Sequence, residues 1–174
     1  MYGVRLAICG LILAGCTLSG EAVPLLPEMA EPTATPTAAA PAEFVEDVSD
    51  VMRGICFEAA FDAAGQVFVL RDTAAYIHFY DLADESHLCR HPVERTPFDF
   101  SSGRILAGGW STGIGCTARH EIQSVTRDEA TQQVTITVQF ITEGSCDYEL
   151  VRPLWLALDG VAGYAIDLHI APAS

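Results

Sequence analysis

The sequence contains no lysine. Nine arginines are its only permanent cationic side chains, against 23 Asp and Glu, and the formal charge is -14. A single arginine, Arg5, stands before Arg53. A partner held through its phosphates needs clustered Lys and Arg, so nucleic acid is not expected as a partner. Metal signatures are missing as well. There is no Cys-x-x-Cys, and the only His-x-x-x-His spacing, His87 and His91, falls in a proline-containing stretch. No metal and no cofactor is expected. Apolar side chains, by contrast, are plentiful. At 50% hydrophobic content the chain has enough to build a core, which excludes a wholly disordered protein. Its 174 residues allow one folded domain plus appendages, at roughly 100–200 residues per domain.

The N-terminus reads as an address. Arg5 is followed by an apolar run over residues 6–14 and by the small-residue exit Ala14-Gly15-Cys16. A charged start, a short apolar stretch and a small-residue exit are the parts of a secretory signal. The run is far shorter than the ~20 residues a helix needs to span a bilayer. Leu13-Ala14-Gly15-Cys16 resembles the lipobox of bacterial lipoproteins. That resemblance implies removal of residues 1–15 and lipid on both the thiol and the amine of Cys16. Several acyl chains anchor a protein to a membrane far more firmly than one.

Residues 17–43 hold five of the nine prolines, Pro24, Pro27, Pro32, Pro36 and Pro41, spaced by Thr, Ala and Glu. Each proline removes a backbone donor, and no apolar periodicity accompanies them, so residues 16–43 are expected to form an extended tether.

The remainder, residues 44–174, is the expected folded domain. Phe44, Val45, Val48, Val51 and Met52 repeat at helical spacing. Residues 67–70 read as a short strand, and Asp72 as the N-cap of a helix over 73–84. Residues 88–97, with two prolines, read as loop. Strands are expected over 104–110, 116–125, 134–141, 148–158 (interrupted at Pro153) and 164–170. Val134, Ile136, Val138 and Phe140 alternate with Thr135, Thr137 and Gln139, the pattern of a strand with one wet face. Arg127-Asp128-Glu129-Ala130 is the expected hairpin turn. The predicted class is α+β, mainly antiparallel β: a compact sheet or barrel-like domain with one or two helices.

Four cysteines remain once Cys9 leaves with the signal and Cys16 is lipidated: Cys56, Cys89, Cys116 and Cys146. An even number in an exported chain implies disulfides, and four cysteines allow three pairings. Strand parity chooses among them. A hairpin centred near Glu129 puts Cys116, His120 and Ile122 on the face of Ile136, Val138 and Phe140. Cys146 lies at the same parity just past the partner strand. The expected pairs are therefore Cys116–Cys146 and Cys56–Cys89.

Two motifs carry possible chemistry. Gly109-Trp110-Ser111-Thr112-Gly113 matches the Gly-x-Ser-x-Gly of hydrolase nucleophile elbows, with Asp159, Asp167 and His169 as nominal triad partners. That chemistry needs a sharp strand-to-helix turn, whereas a strand is expected after Gly113. The same residues read better as a glycine-rich loop, which makes Trp110 and Ser111 candidates for contact with a partner, although packing against the core is the favoured reading for Trp110. Asp81, Asp84 and Glu85 cluster at the expected helix end without the spacing of a calcium loop.

From Leu70 onward the order of elements resembles one known group. A short strand and a helix lead through Phe98-Asp99-Phe100-Ser101 into Arg104-Ile105-Leu106-Ala107. A glycine-rich turn, Glu121-Ile122-Gln123-Ser124-Val125, Val134-Thr135-Ile136-Thr137-Val138 and an Arg152-Pro153 step follow. This is similar to the PrcB-like domain of protease-complex accessory lipoproteins. Where that family carries Gly-Gly-Tyr before its second strand, this chain has Gly113-Ile114-Gly115-Cys116. The resemblance implies a non-catalytic partner that stabilises or accompanies a secreted protease. The expected function is thus a lipid-anchored binding module of the cell envelope. A small serine hydrolase using Ser111 and a small-ligand-binding lipoprotein are the alternatives.

Overall fold

The computed structural model describes residues 43–173. The signal peptide expected over residues 1–15, Cys16 and all but the end of the tether lie outside the described residues. Seven strands, two α-helices and one 3-10 helix follow in the order β1 (Val45–Asp47), the 3-10 helix (Ser49–Met52), α1 (Phe57–Asp62), β2 (Val67–Leu70) and α2 (Thr73–Glu85). The chain continues through β3 (Ile105–Ile114), β4 (Thr117–Asp128), β5 (Gln133–Glu143), β6 (Glu149–Leu158) and β7 (Ala165–Ala171). The strands form two sheets. One has four strands in the order β1-β6-β3-β2, all antiparallel, and the other has three in the order β4-β5-β7. Within the second sheet β7 runs parallel to β5, because β6, which lies between them in the chain, belongs to the first sheet.

Side-chain alternation in β3 and β6 builds a three-layer core. Leu106, Trp110, Trp155 and Ala157 face the helices and pack with Tyr76, Phe79 and Tyr80 of α2. Ile105, Ala107, Leu154, Leu156 and Leu158 face the other sheet and pack with Val134, Ile136 and Val138 of β5. Both faces of β3 and β6 are covered, so these strands read as nearly continuous apolar runs. Each large apolar side chain fully buried in these layers contributes about 1.5–3 kcal/mol. Asp72 caps α2 as its position predicts, accepting the Ala75 N–H at 2.7 Å.

Both expected disulfides form, Cys56–Cys89 and Cys116–Cys146. The hairpin turn lies two residues later than expected, at residues 129–132, with Gln132 in the left-handed region at φ 50°. A bulge between Ile122 and Ser124 shifts the register, yet His120 still opposes Phe140 and Ile122 opposes Val138, so the inward face is the one that parity predicts. Three local expectations are corrected. Residues 44–52 are not one helix, because Val45, Glu46 and Asp47 pair with Leu158, Ala157 and Leu156 before the short 3-10 helix begins. The stretch 108–111 is not a loop but the middle of β3.

Pro153, the third case, does not interrupt β6. Val48 donates to the Trp155 carbonyl at 2.7 Å and Trp155 donates to Ser49 Oγ at 3.1 Å, so the backbone of Trp155 faces the β1 side. By alternation the Pro153 nitrogen faces the same side, beyond the end of β1, where no ladder bond is lost.

Candidate functional site

Gly109, Ser111 and Gly113 occupy alternate positions of β3 and so share the face turned toward the second sheet. The Gly-x-Ser-x-Gly of this chain is a strand with small side chains on one face. A Cβ at Gly113 would stand 2.7 Å from Thr142 Cγ2 and 3.1 Å from Phe140 Cε1, and one at Gly109 would overlap the Gln66 carbonyl oxygen. The absence of a side chain at Gly113 lets β5 come close, that at Gly109 admits the backbone before β2, and two rings lie beside Ser111: His120 and Phe140, with centroids 4.9 Å apart.

Ser111 is the one buried polar residue among the described residues, 8% exposed, and its Oγ lies 2.8 Å from His120 Nε2. Burial pushes the His120 imidazole down from 6.5 to about 4, against a smaller upward pull from the charge of Asp47. The ring is therefore neutral at physiological pH. If the Ser111 hydroxyl donates, Nε2 accepts and the histidine proton sits on Nδ1. A serine and a neutral histidine at this distance match the first two members of a hydrolytic triad.

The rest of such a machine is not assembled. Among the described residues no carboxylate hydrogen-bonds His120. Asp47, the acid that acts on it by charge, accepts the Ser49 N–H at 2.9 Å. The nominal triad partners lie in other arrangements: Asp159 accepts from Arg104 at 3.1 Å, and Asp167 contacts His169 at 3.0 Å on β7. The strained turn of a nucleophile elbow is also missing, since His87 and Gln132 are the non-glycine residues with positive φ among the described ones. An imidazole with a pKa near 4 is a weak base for deprotonating an alcohol.

Beside the pair a cleft of about 220 Å³ opens between the sheets, walled by Val67, Trp110, Phe140 and Ile170 and floored by Ser111. Trp110 packs against the core, the favoured reading, and does not stand exposed on a loop. It is 3% exposed and stacks on Phe79 at 5.8 Å. It also lines a second cavity of about 250 Å³ on the helical side, with Phe57, Val151 and Pro153. The candidate partner-binding residues are thus brought together differently from expectation: Ser111 opens on the cleft, and Trp110 backs it from within the core.

The other titratable clusters are engaged elsewhere. Asp81 and Asp84 pair with Arg95, and Asp84 also accepts the Val93 N–H at 2.6 Å. His87 ends α2 in the left-handed conformation at φ 55°, so it shares no helix face with His91. Among the described residues no group of three or more His, Cys, Asp or Glu gathers in metal-holding geometry, and no helix is long and apolar enough to cross a membrane.

No protein-family model, curated protein or solved structure matches the chain.

Proposed function

We propose that this chain is a non-catalytic binding module, held to the cell-envelope membrane by lipid on Cys16 and presented to a protein partner by the tether. The observation that supports the reading is an open strand edge. Beyond Gly109, β3 has no strand partner on its β2 side among the described residues, and the ribbon ends in Ile114 and Tyr148, each 65% exposed. Exposed apolar groups beside an unpaired edge invite association. The resemblance of the sequence to PrcB-like domains favours a secreted protease as the partner, with this chain as an accessory or stabilising subunit.

The lipidated full-length protein, used as bait in solubilised membranes, is expected to retain one envelope or secreted protein in stoichiometric amount. A bait that retains none contradicts the reading. Cys16→Ser is expected to move the protein from the membrane pellet to the soluble fraction, and persistence in the pellet would remove the anchor.

The 2.8 Å contact between Ser111 and His120 favours a second reading, a small serine hydrolase. The missing third member and the depressed basicity of His120 weigh against it. A serine-directed fluorophosphonate is expected to leave the protein unlabelled. Labelling that disappears in Ser111→Ala would replace the binding reading with the catalytic one.

A further inference from the structure

The open edge of β3 lies between two cavities and is not blunted. β2 covers β3 as far as Gly109, and the loop before it covers one residue more, through the Gly65 N–H donating to the Trp110 carbonyl at 2.9 Å. Backbone groups alternate in direction along a strand. The N–H and C=O of Thr112 and Ile114 therefore point the same way as the Trp110 carbonyl, away from β6. The other edge of this two-stranded end is treated differently. There β6 outruns β1 as well, but it carries Pro153 with the ring nitrogen facing out, a device that refuses a further strand. Residues 110–114 of β3 contain no proline and no charge.

A strand laid on this edge would send its side chains alternately to the two faces of the sheet. One face offers the cleft floored by Ser111, with apolar walls from Val67, Phe140 and Ile170. The other carries Phe57, which lines the helix-side cavity and stacks with Phe61 at 5.9 Å, both about half exposed. Charge narrows the occupant. Asp62, next to the loop that ends at Gln66, and Asp147 and Glu149, beside the exposed end, make no ion pair among the described residues. Arg152, across the ladder from Ser111, is turned to the Val151 carbonyl at 3.2 Å. A second copy of a chain with formal charge -14 would meet its own repulsion here, whereas a segment bearing arginine or lysine would not.

We infer that β3 from Thr112 to Ile114 is the docking edge for an extended, positively charged segment of a partner protein, added as a further strand with one aliphatic side chain in the cleft beside Ser111. Main-chain hydrogen bonds then supply affinity, and the cleft and the carboxylates supply selectivity. This rests on the binding-module reading above.

The test uses the full-length lipidated protein in detergent and a capped heptapeptide alternating arginine and valine as probe. The peptide is expected to slow amide hydrogen exchange over residues 110–115 by about tenfold or more at saturation. The same peptide with glutamate for arginine, or N-methylated at alternate residues, is expected to give no protection. Thr112→Pro removes an outward donor and is expected to abolish binding. Ile114→Arg, which leaves the backbone intact, is expected to weaken it about tenfold through like charge. No protection at 110–115, or equal protection by the glutamate peptide, would overturn the docking edge. The two failures are separable: a bait that captures a membrane protein equally well with Ile114→Arg keeps the binding module and loses this edge, whereas a bait that captures nothing loses both.

Discussion

Trp155→Ala is expected to lower stability by about 3–5 kcal/mol, the loss typical of a fully buried tryptophan. Trp155 has no exposed surface and sits where the layers meet, with Phe68, Phe79 and Trp110 all within 6.1 Å between ring centroids. Alanine leaves a cavity that these rings, fixed to two strands and a helix, cannot collapse to fill. Trp155→Phe is expected to differ sharply. The indole Nε1 is the one buried side-chain polar atom without a hydrogen-bond partner among the described residues. Phenylalanine leaves a smaller void and removes an N–H whose burial is already unfavourable, so the net change should stay within about 1 kcal/mol. Urea unfolding midpoints measure both. Equal losses for the two variants would mean that the indole N–H makes a bond on which the core depends.

His120 is expected to dominate the pH dependence of stability between neutral pH and about 4. Its folded value is pushed down to about 4 by burial, while the unfolded chain titrates near the ordinary 6.5. Above the unfolded value the ring is neutral in both states and contributes nothing to the slope. As pH falls from there to about 4, the unfolded chain takes up a proton that the folded chain refuses, so stability declines; below about 4 the loss is complete and constant. Because the ring keeps partial contact with solvent, the loss amounts to about 2 kcal/mol rather than the full value of the shift. His120→Gln keeps a polar group near Ser111 but does not titrate. The stability of wild type relative to His120→Gln should therefore fall by about 2 kcal/mol as pH drops across this window, and a relative stability independent of pH would show that His120 is not held neutral by the fold.

Much of the fold was legible where chemistry is local. The Asp72 cap, the strand alternation of β5 and the disulfide that closes the β4–β5 hairpin each follow from residue type and parity. Parity survived even though the turn lies two residues later and Ile122 and Ser124 flank a bulge, because the inward face is retained up to the bulge. What was illegible depends on distant partners. Val45–Asp47 is too short to show a period, and it becomes a strand because β6 has an open edge to receive it. The six residues of α1 follow Cys56, which caps them with no side-chain bond, and the disulfide to Cys89 ties the start of this short helix to the segment that follows α2.

The glycines before Trp110 suggest a loop. Their reason is close approach: a Cβ at Gly108 would overlap the Leu154 carbonyl oxygen of the neighbouring strand. At the candidate site the motif marks Ser111, but the histidine beside it is His120 and not the later His169. His120 lies on the inward parity, and the small residues at 111 and 113 are the signal that larger groups, His120 and Phe140, face them.

A photoreactive benzophenone side chain at position 114, compared with one at position 123, tests the binding reading most directly. Gln123 is exposed at the bulge of β4, in the other sheet. Irradiation of intact membranes carrying the full-length protein should yield one discrete adduct of higher mass from position 114 and none from position 123. No adduct from either position, or the same adduct from both, would contradict a partner held at the open edge of β3.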